Sequence, residues 1–143
     1  MGRIAGIDFG KARIGLAISD ERKVIATPLE TISASSHLPQ NARLIAHALL
    51  NYKNLEAIVI GLPLLLNGKE GEMALLVRSF AKILEELIPV PILFWDERLT
   101  SLGVERMLLD ANISREKRRL LSDALSAVSI LQNYLDSLSY RKG

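Results

Sequence analysis

The chain has 143 residues, 49% apolar and 24% charged, with 9 Gly and 5 Pro, which is the composition of a globular protein with one buried core and excludes disorder and fibres. Aromatic residues are only 5% and cysteine is absent, which excludes a ring-lined platform for single-stranded nucleic acid, a disulfide framework and thiolate or zinc–cysteine chemistry. Eighteen Lys and Arg against 16 Asp and Glu leave a net charge of +2, too small to indicate nucleic acid by itself. The positive excess is concentrated in residues 114–143, where six basic residues (Arg115, Lys117, Arg118, Arg119, Arg141, Lys142) face three acidic ones (Glu116, Asp123, Asp136). No stretch approaches the ~20 apolar residues of a membrane span, and residues 1–7 lack the basic start and apolar run of an export signal, so a cytoplasmic location is expected.

No repeat, linker or low-complexity tract divides residues 1–143, which read as a single domain. Residues 3–8 form a short apolar run ending in a carboxylate, and residues 13–19 a second run rich in small side chains; each reads as a strand. After the polar turn Asp20-Glu21-Arg22-Lys23, residues 24–32 read as a third strand whose Pro28 suits a sheet edge. Short connections make these three an antiparallel meander. The period then changes. Residues 39–52 carry Ala42, Ile45, Ala46 and Leu49 at helical spacing, and residues 55–62 are a continuous apolar run of the kind found in parallel strands covered on both faces. A second helix is expected over 69–87, a fifth strand over 90–95, and a short helix over 101–109 with Gly103 inside it. A last helix is capped by Ser114 and reaches about residue 138, with Leu121, Ala124, Leu125, Val128, Leu131, Leu135 and Leu138 in one stripe.

The order β-β-β-α-β-α-β-α-α fits an α/β fold with a ribonuclease H-like mixed five-stranded sheet flanked by helices, in which the first strand lies centrally beside the fourth. In that arrangement carboxylates from strand ends and from a packing helix converge on one spot. The candidates are Asp8 after strand one, Asp96 and Glu97 after strand five, and Asp123 in the last helix. An ionised carboxylate ending an apolar strand is costly unless paired or bound to a cation, which singles out Asp8 from a turn-forming aspartate. Asp123 alone reads more readily as a boundary carboxylate paired with Arg119 one turn earlier, and Asp96-Glu97-Arg98 reads equally as a solvated loop with a local ion pair. Gathered carboxylates repel one another, so a divalent cation is the natural neutraliser. An all-oxygen donor set without cysteine points to Mg²⁺ or Mn²⁺, with His37 and His47 uninvolved. Such ions promote in-line displacement at a phosphodiester, the chemistry of a nuclease.

Four blocks in order, Asp8-Phe9-Gly10-Lys11-Ala12-Arg13-Ile14-Gly15-Leu16-Ala17 with Ser19-Asp20, Gly61-Leu62-Pro63 with Asn67-Gly68, Asp96-Glu97-Arg98-Leu99-Thr100-Ser101, and Asp123 ahead of Ile130-Leu131-Gln132-Asn133-Tyr134-Leu135, resemble the YqgF/RuvX family. The resemblance implies a ribonuclease H-like fold related to Holliday-junction resolvases and a role in maturing the 5′ end of pre-16S rRNA. It further implies that Asp8, Glu97 and Asp123 form the metal site, with Asp96 beside them as a fourth catalytic candidate. Resolvase relatives carry an acid at the end of strand four; here that position reads Gly61-Leu62-Pro63, so the third carboxylate must come from strand five. Strand alternation alone leaves Asp96 and Glu97 undecided, and the resemblance favours Glu97.

Lys11 and Arg13, in the turn after Asp8, and Arg98, beside the acidic pair, are the candidate substrate-binding residues, each weighed against a solvated surface charge. The cluster Arg115, Lys117, Arg118 and Arg119 could extend them into a track for a phosphate backbone. The expected partner is nucleic acid, either structured precursor rRNA or branched DNA, with no membrane. Two other classes stand beside the nuclease: a sugar-kinase-like ATPase, since Ile7-Asp8-Phe9-Gly10 also suits a phosphate loop, and a binding module that keeps the fold without activity. The ATPase needs a second lobe that 143 residues do not supply.

Overall fold

The computed structural model describes residues 2–99 and 115–142, with side chains placed for 2–98 and 125–139. Three strands open the chain: β1 (Arg3–Phe9), β2 (Arg13–Ser19) and β3 (Ala26–Ser33). They are followed by α1 (Leu38–Leu49), β4 (Leu55–Leu62), α2 (Glu72–Leu87), β5 (Ile92–Asp96), a 3₁₀ turn over Glu97–Leu99 and α3 (Arg115–Lys142). The sheet order is β3-β2-β1-β4-β5, antiparallel through the opening meander and parallel for β1–β4 and β4–β5. The expected mixed five-stranded sheet is present, with β1 beside β4 and the Pro28 strand at the edge. The helix expected over 101–109 and the Ser114 cap lie outside the described residues.

Strand alternation divides the core in two. Ala5, Ile7 and Phe9 of β1, with Ile58, Ile60 and Leu62 of β4, face α1 and α2 and pack with Ile45, Leu49, Phe80 and Leu84. Ile4 and Gly6, with Ala57 and Val59, face the opposite way, under Ala127, Ile130, Leu131 and Leu135 of α3. Glycine at residue 6 is a packing requirement: a Cβ there would stand 2.8 Å from that of Leu131 and 3.1 Å from the Ala127 carbonyl, so α3 sits almost on the β1 backbone.

Of the boundaries that differ from the sequence reading, which include the earlier end of α1 at Leu49 and the later start of β5 at Ile92, two have a clear local reason. Strand three begins at Ala26, two residues late, because the Asp20 carboxylate accepts the N–H groups of Val24 and Ile25 and holds them in the turn. Helix α2 begins at Glu72 and not at residue 69. Residues 64–70 fold back on themselves, with Leu64 bridged to Glu70, Leu65 N–H donating to the Lys69 carbonyl and Gly68 at φ +85°. Gly71 is the N-cap that follows this turn.

Candidate functional site

The parallel strands β1, β4 and β5 end at the same edge of the sheet, which brings Asp8, Gly61 and the Asp96-Glu97 pair together. Ile7 pairs with Ile60 and Gly61 with Trp95, so Asp8 and Gly61 are the next step along neighbouring strands. Asp8 is in step with Ile4 and Gly6 and therefore faces the α3 side. Gly61, in step with Val59, faces the same side, since a Cβ built on it meets Ile130 of α3 at 2.6 Å.

Glu97 reaches Asp8 across that glycine. The built Gly61 Cβ would stand 2.5 Å from Glu97 Oε1 and 2.9 Å from its Cγ, so the glutamate side chain lies where any larger residue would project. Burial, the charge of Asp8 and a hydrogen bond with Asp8 push the Glu97 carboxyl up to about 8, with Asp96 adding to the repulsion. At neutral pH the metal-free pair therefore holds a proton between two carboxyls.

Asp96 turns away from this pair. Its carboxylate accepts the Arg98 backbone N–H at 3.0 Å and the guanidinium at 2.7 Å through Nη2 and 3.1 Å through Nε. The Arg98 hydrogen bond is the main cause that holds the Asp96 carboxyl below its ordinary value. The guanidinium also stands near Gly68, where a Cβ would be 3.7 Å from Nη1, so the end of β5 and the turn after β4 are neighbours at this point. Arg13, two residues from the Gly15 that pairs with Asp8, is on the α3 side of β2 with Ala17. Lys11 is exposed at the tip of the β1–β2 turn and lines a pocket on the opposite face.

Asp123 lies in α3, one turn before Ala127; its side chain and those of Arg115, Lys117, Arg118 and Arg119 are outside the described residues. Among the described residues no group of three or more carboxylates, histidines or cysteines is gathered to hold a metal, because Asp96 is committed to Arg98 and only Asp8 and Glu97 converge. The residue that reading the sequence did not single out is Gly61 as the seat of Glu97. Its signal was indirect: a glycine near the end of an otherwise largely apolar strand.

A profile of the RuvX family, described as Holliday junction resolvase, matches residues 2–137. Curated relatives bear the name "Putative pre-16S rRNA nuclease". One from Protochlamydia amoebophila is 46% identical over 140 residues, spanning 94% of this chain and 93% of that protein. Another from Bacillus subtilis is 39% identical over 137 residues, spanning 96% and 99%. Among solved structures, T. thermophilus RuvC in complex with a Holliday junction substrate superposes with a TM-score of 0.60 at 16% identity, over 97% of each chain. That likeness gives the fold, the ribonuclease H-like arrangement expected from the element order. No helix among the described residues is long and apolar enough to cross a membrane.

Proposed function

The chain belongs to the RuvX (Holliday junction resolvase) family, and from that premise we propose that it is a metal-dependent nuclease, hydrolysing phosphodiester bonds at the 5′ end of pre-16S rRNA. The observation that carries the reading is the meeting of Asp8 and Glu97 over Gly61. Two carboxyls forced to share a proton form a donor set suited to a small, hard cation, since the charge that raises Glu97 is the charge a cation would neutralise. Asp8 and Glu97, with Asp123 from α3, would hold Mg²⁺ or Mn²⁺. When bound, that ion supplies an activated water and charge stabilisation for the leaving oxygen.

The remaining roles fall to the chain's own cations. Arg13 on the Asp8 side of the sheet and Lys11 at the turn tip hold phosphates on either side of the cut, and Arg98, fixed by Asp96, braces the turn that frames the site. Asp96 is a positioning residue in this scheme, acting through Arg98.

The reading is tested by incubating the purified protein with a structured precursor rRNA and with a four-way DNA junction, each with Mg²⁺, Mn²⁺ or chelator. RNA cleavage that needs the metal and disappears in Asp8→Asn, with the fold retained by circular dichroism, is the expected result. Cleavage of the junction alone supports the resolvase alternative, and tight binding without cleavage supports a binding module. An Asp8→Asn protein that cuts at the wild-type rate removes the mechanism.

A further inference from the structure

The opposite face of the same sheet edge carries a pocket of about 310 Å³ that the carboxylate pair does not use, lined by Phe9, Lys11, Ala34, Ser36, Leu38 and Leu76 among others. We propose that this pocket holds the nucleoside adjoining the phosphate that is cut, with base and sugar on its apolar floor and the next phosphate on Lys11. The proposal rests on the nuclease reading and adds a subsite to it.

Three features support it. The volume is at the small end of ligand pockets, about 300–1,000 Å³, and suits one nucleoside. Phe9 is buried on the floor with the half-buried Ala34, Leu38 and Leu76, whereas Lys11 and Ser36 are exposed at the rim. An apolar floor with a cation at its margin matches a base and sugar followed by a phosphate.

The walls are also fixed before any ligand arrives. Ala34 N–H donates to the Ala12 carbonyl at 2.8 Å, tying the β3–α1 connection to the β1–β2 turn. Buried Asn41 then clamps Ser35, accepting its N–H at 2.9 Å and donating to its carbonyl at 2.9 Å. A preformed wall lowers the ordering cost of binding.

Finally, the carboxylates and the pocket lie on the two sides of one turn. Asp8 faces α3 and Phe9 the other way, so the two sites are on adjacent residues, separated by the lip of the turn at Gly10. A Cβ on Gly10 would stand 2.6 Å from the Arg13 carbonyl oxygen, which accepts the Gly10 N–H at 3.0 Å, so the turn closes backbone to backbone at this lip. A polynucleotide crossing it sets a phosphate at Asp8 and Glu97 and turns the neighbouring nucleoside out of its stack into the pocket. Extrusion costs least where the base is already unpaired. The pocket therefore directs cutting to unpaired positions in a structured substrate.

The test combines two pocket-filling variants, Ser36→Leu at the exposed rim and Ala34→Leu at the floor, with substrates lacking the base on one or the other side of the cut. Kd is measured without divalent metal and KM and kcat with it, in RNA and DNA arms that separate ribose from deoxyribose. For the wild type, removing one flanking base should raise Kd and KM about tenfold, the weight of a single good apolar contact. In both filled variants the same removal should have little further effect, with kcat barely moved. Equal losses in wild type and variants, or no loss in the wild type, overturn the pocket. If the wild type cuts neither substrate, the nuclease reading fails, and the subsite is still judged by the coupling in Kd.

Discussion

Gly61 and Glu97 occupy one space between them: the carboxylate of the glutamate lies 2.5 Å from where a Cβ of residue 61 would be. A glutamate following β5 thereby delivers its carboxylate to the end of β4, beside Asp8, with β4 itself contributing only backbone. Gly61→Ala should thus evict Glu97 and crowd Ile130, lowering stability by about 1–3 kcal/mol, the usual cost of overpacking. Activity should fall further than that loss explains. Thermal melts and cleavage rates on the same preparation check this, and an active, fully stable Gly61→Ala protein would show that the contact is dispensable.

Glu97 and Asp96 should separate in kinetics as they do in space. Losing even a group that orients a metal ligand costs about 10–100-fold, so Glu97→Gln is expected to lose more than ~100-fold in kcat and Asp96→Asn clearly less. The Asp96 defect should be matched by Arg98→Ala, because the pair acts through one contact. Equal losses at residues 96 and 97 would contradict the assignment.

The raised Glu97 carboxyl predicts a pH dependence with a definite sign. Its ordinary value is 4.5 and its folded value about 8, so the metal-free folded state keeps a proton that the unfolded chain releases above about 4.5. Stability should decline as pH rises from 4.5 towards 8 and level off beyond it. Glu97→Gln should flatten that slope in urea unfolding of the metal-free protein. Metal must displace the proton, so apparent metal affinity should climb over the same interval and its binding should release protons to the buffer.

For the basic cluster the expected readout is ionic strength. Reversing Arg118 and Arg119 to Glu should weaken nucleic-acid binding and flatten its salt dependence, since each lost phosphate contact removes about one unit of slope. Metal binding and the melting temperature should hardly change. An unchanged affinity and slope on both RNA and branched DNA would remove the start of α3 from the substrate track.

The sheet was legible because β1, β2, β4 and β5 are dominated by apolar or small residues, and Pro28 marked β3 as an edge. Asp8 was legible for the same reason, as a charge ending such a run. The choice between Asp96 and Glu97 was not, because Ile92-Leu93-Phe94-Trp95 is apolar at every position and gives alternation no phase. Only the packing of Trp95 with the α3 cluster assigns the faces. The late start of α2 was hidden because Lys69 and Glu70 are good helix formers, whereas the Asn67-Gly68 turn outweighs them.

The pairing of β1 with β4 has a consequence for when the enzyme exists during its own synthesis. Asp8 is made early, yet its neighbours in space are Gly61, then Glu97, and the helix over them spans residues 115–142. A nascent chain shorter than 97 residues carries one carboxylate of the pair and no cover for it. The proposed hydrolytic site, drawn from distant segments, is therefore complete only once translation has passed its last contributor.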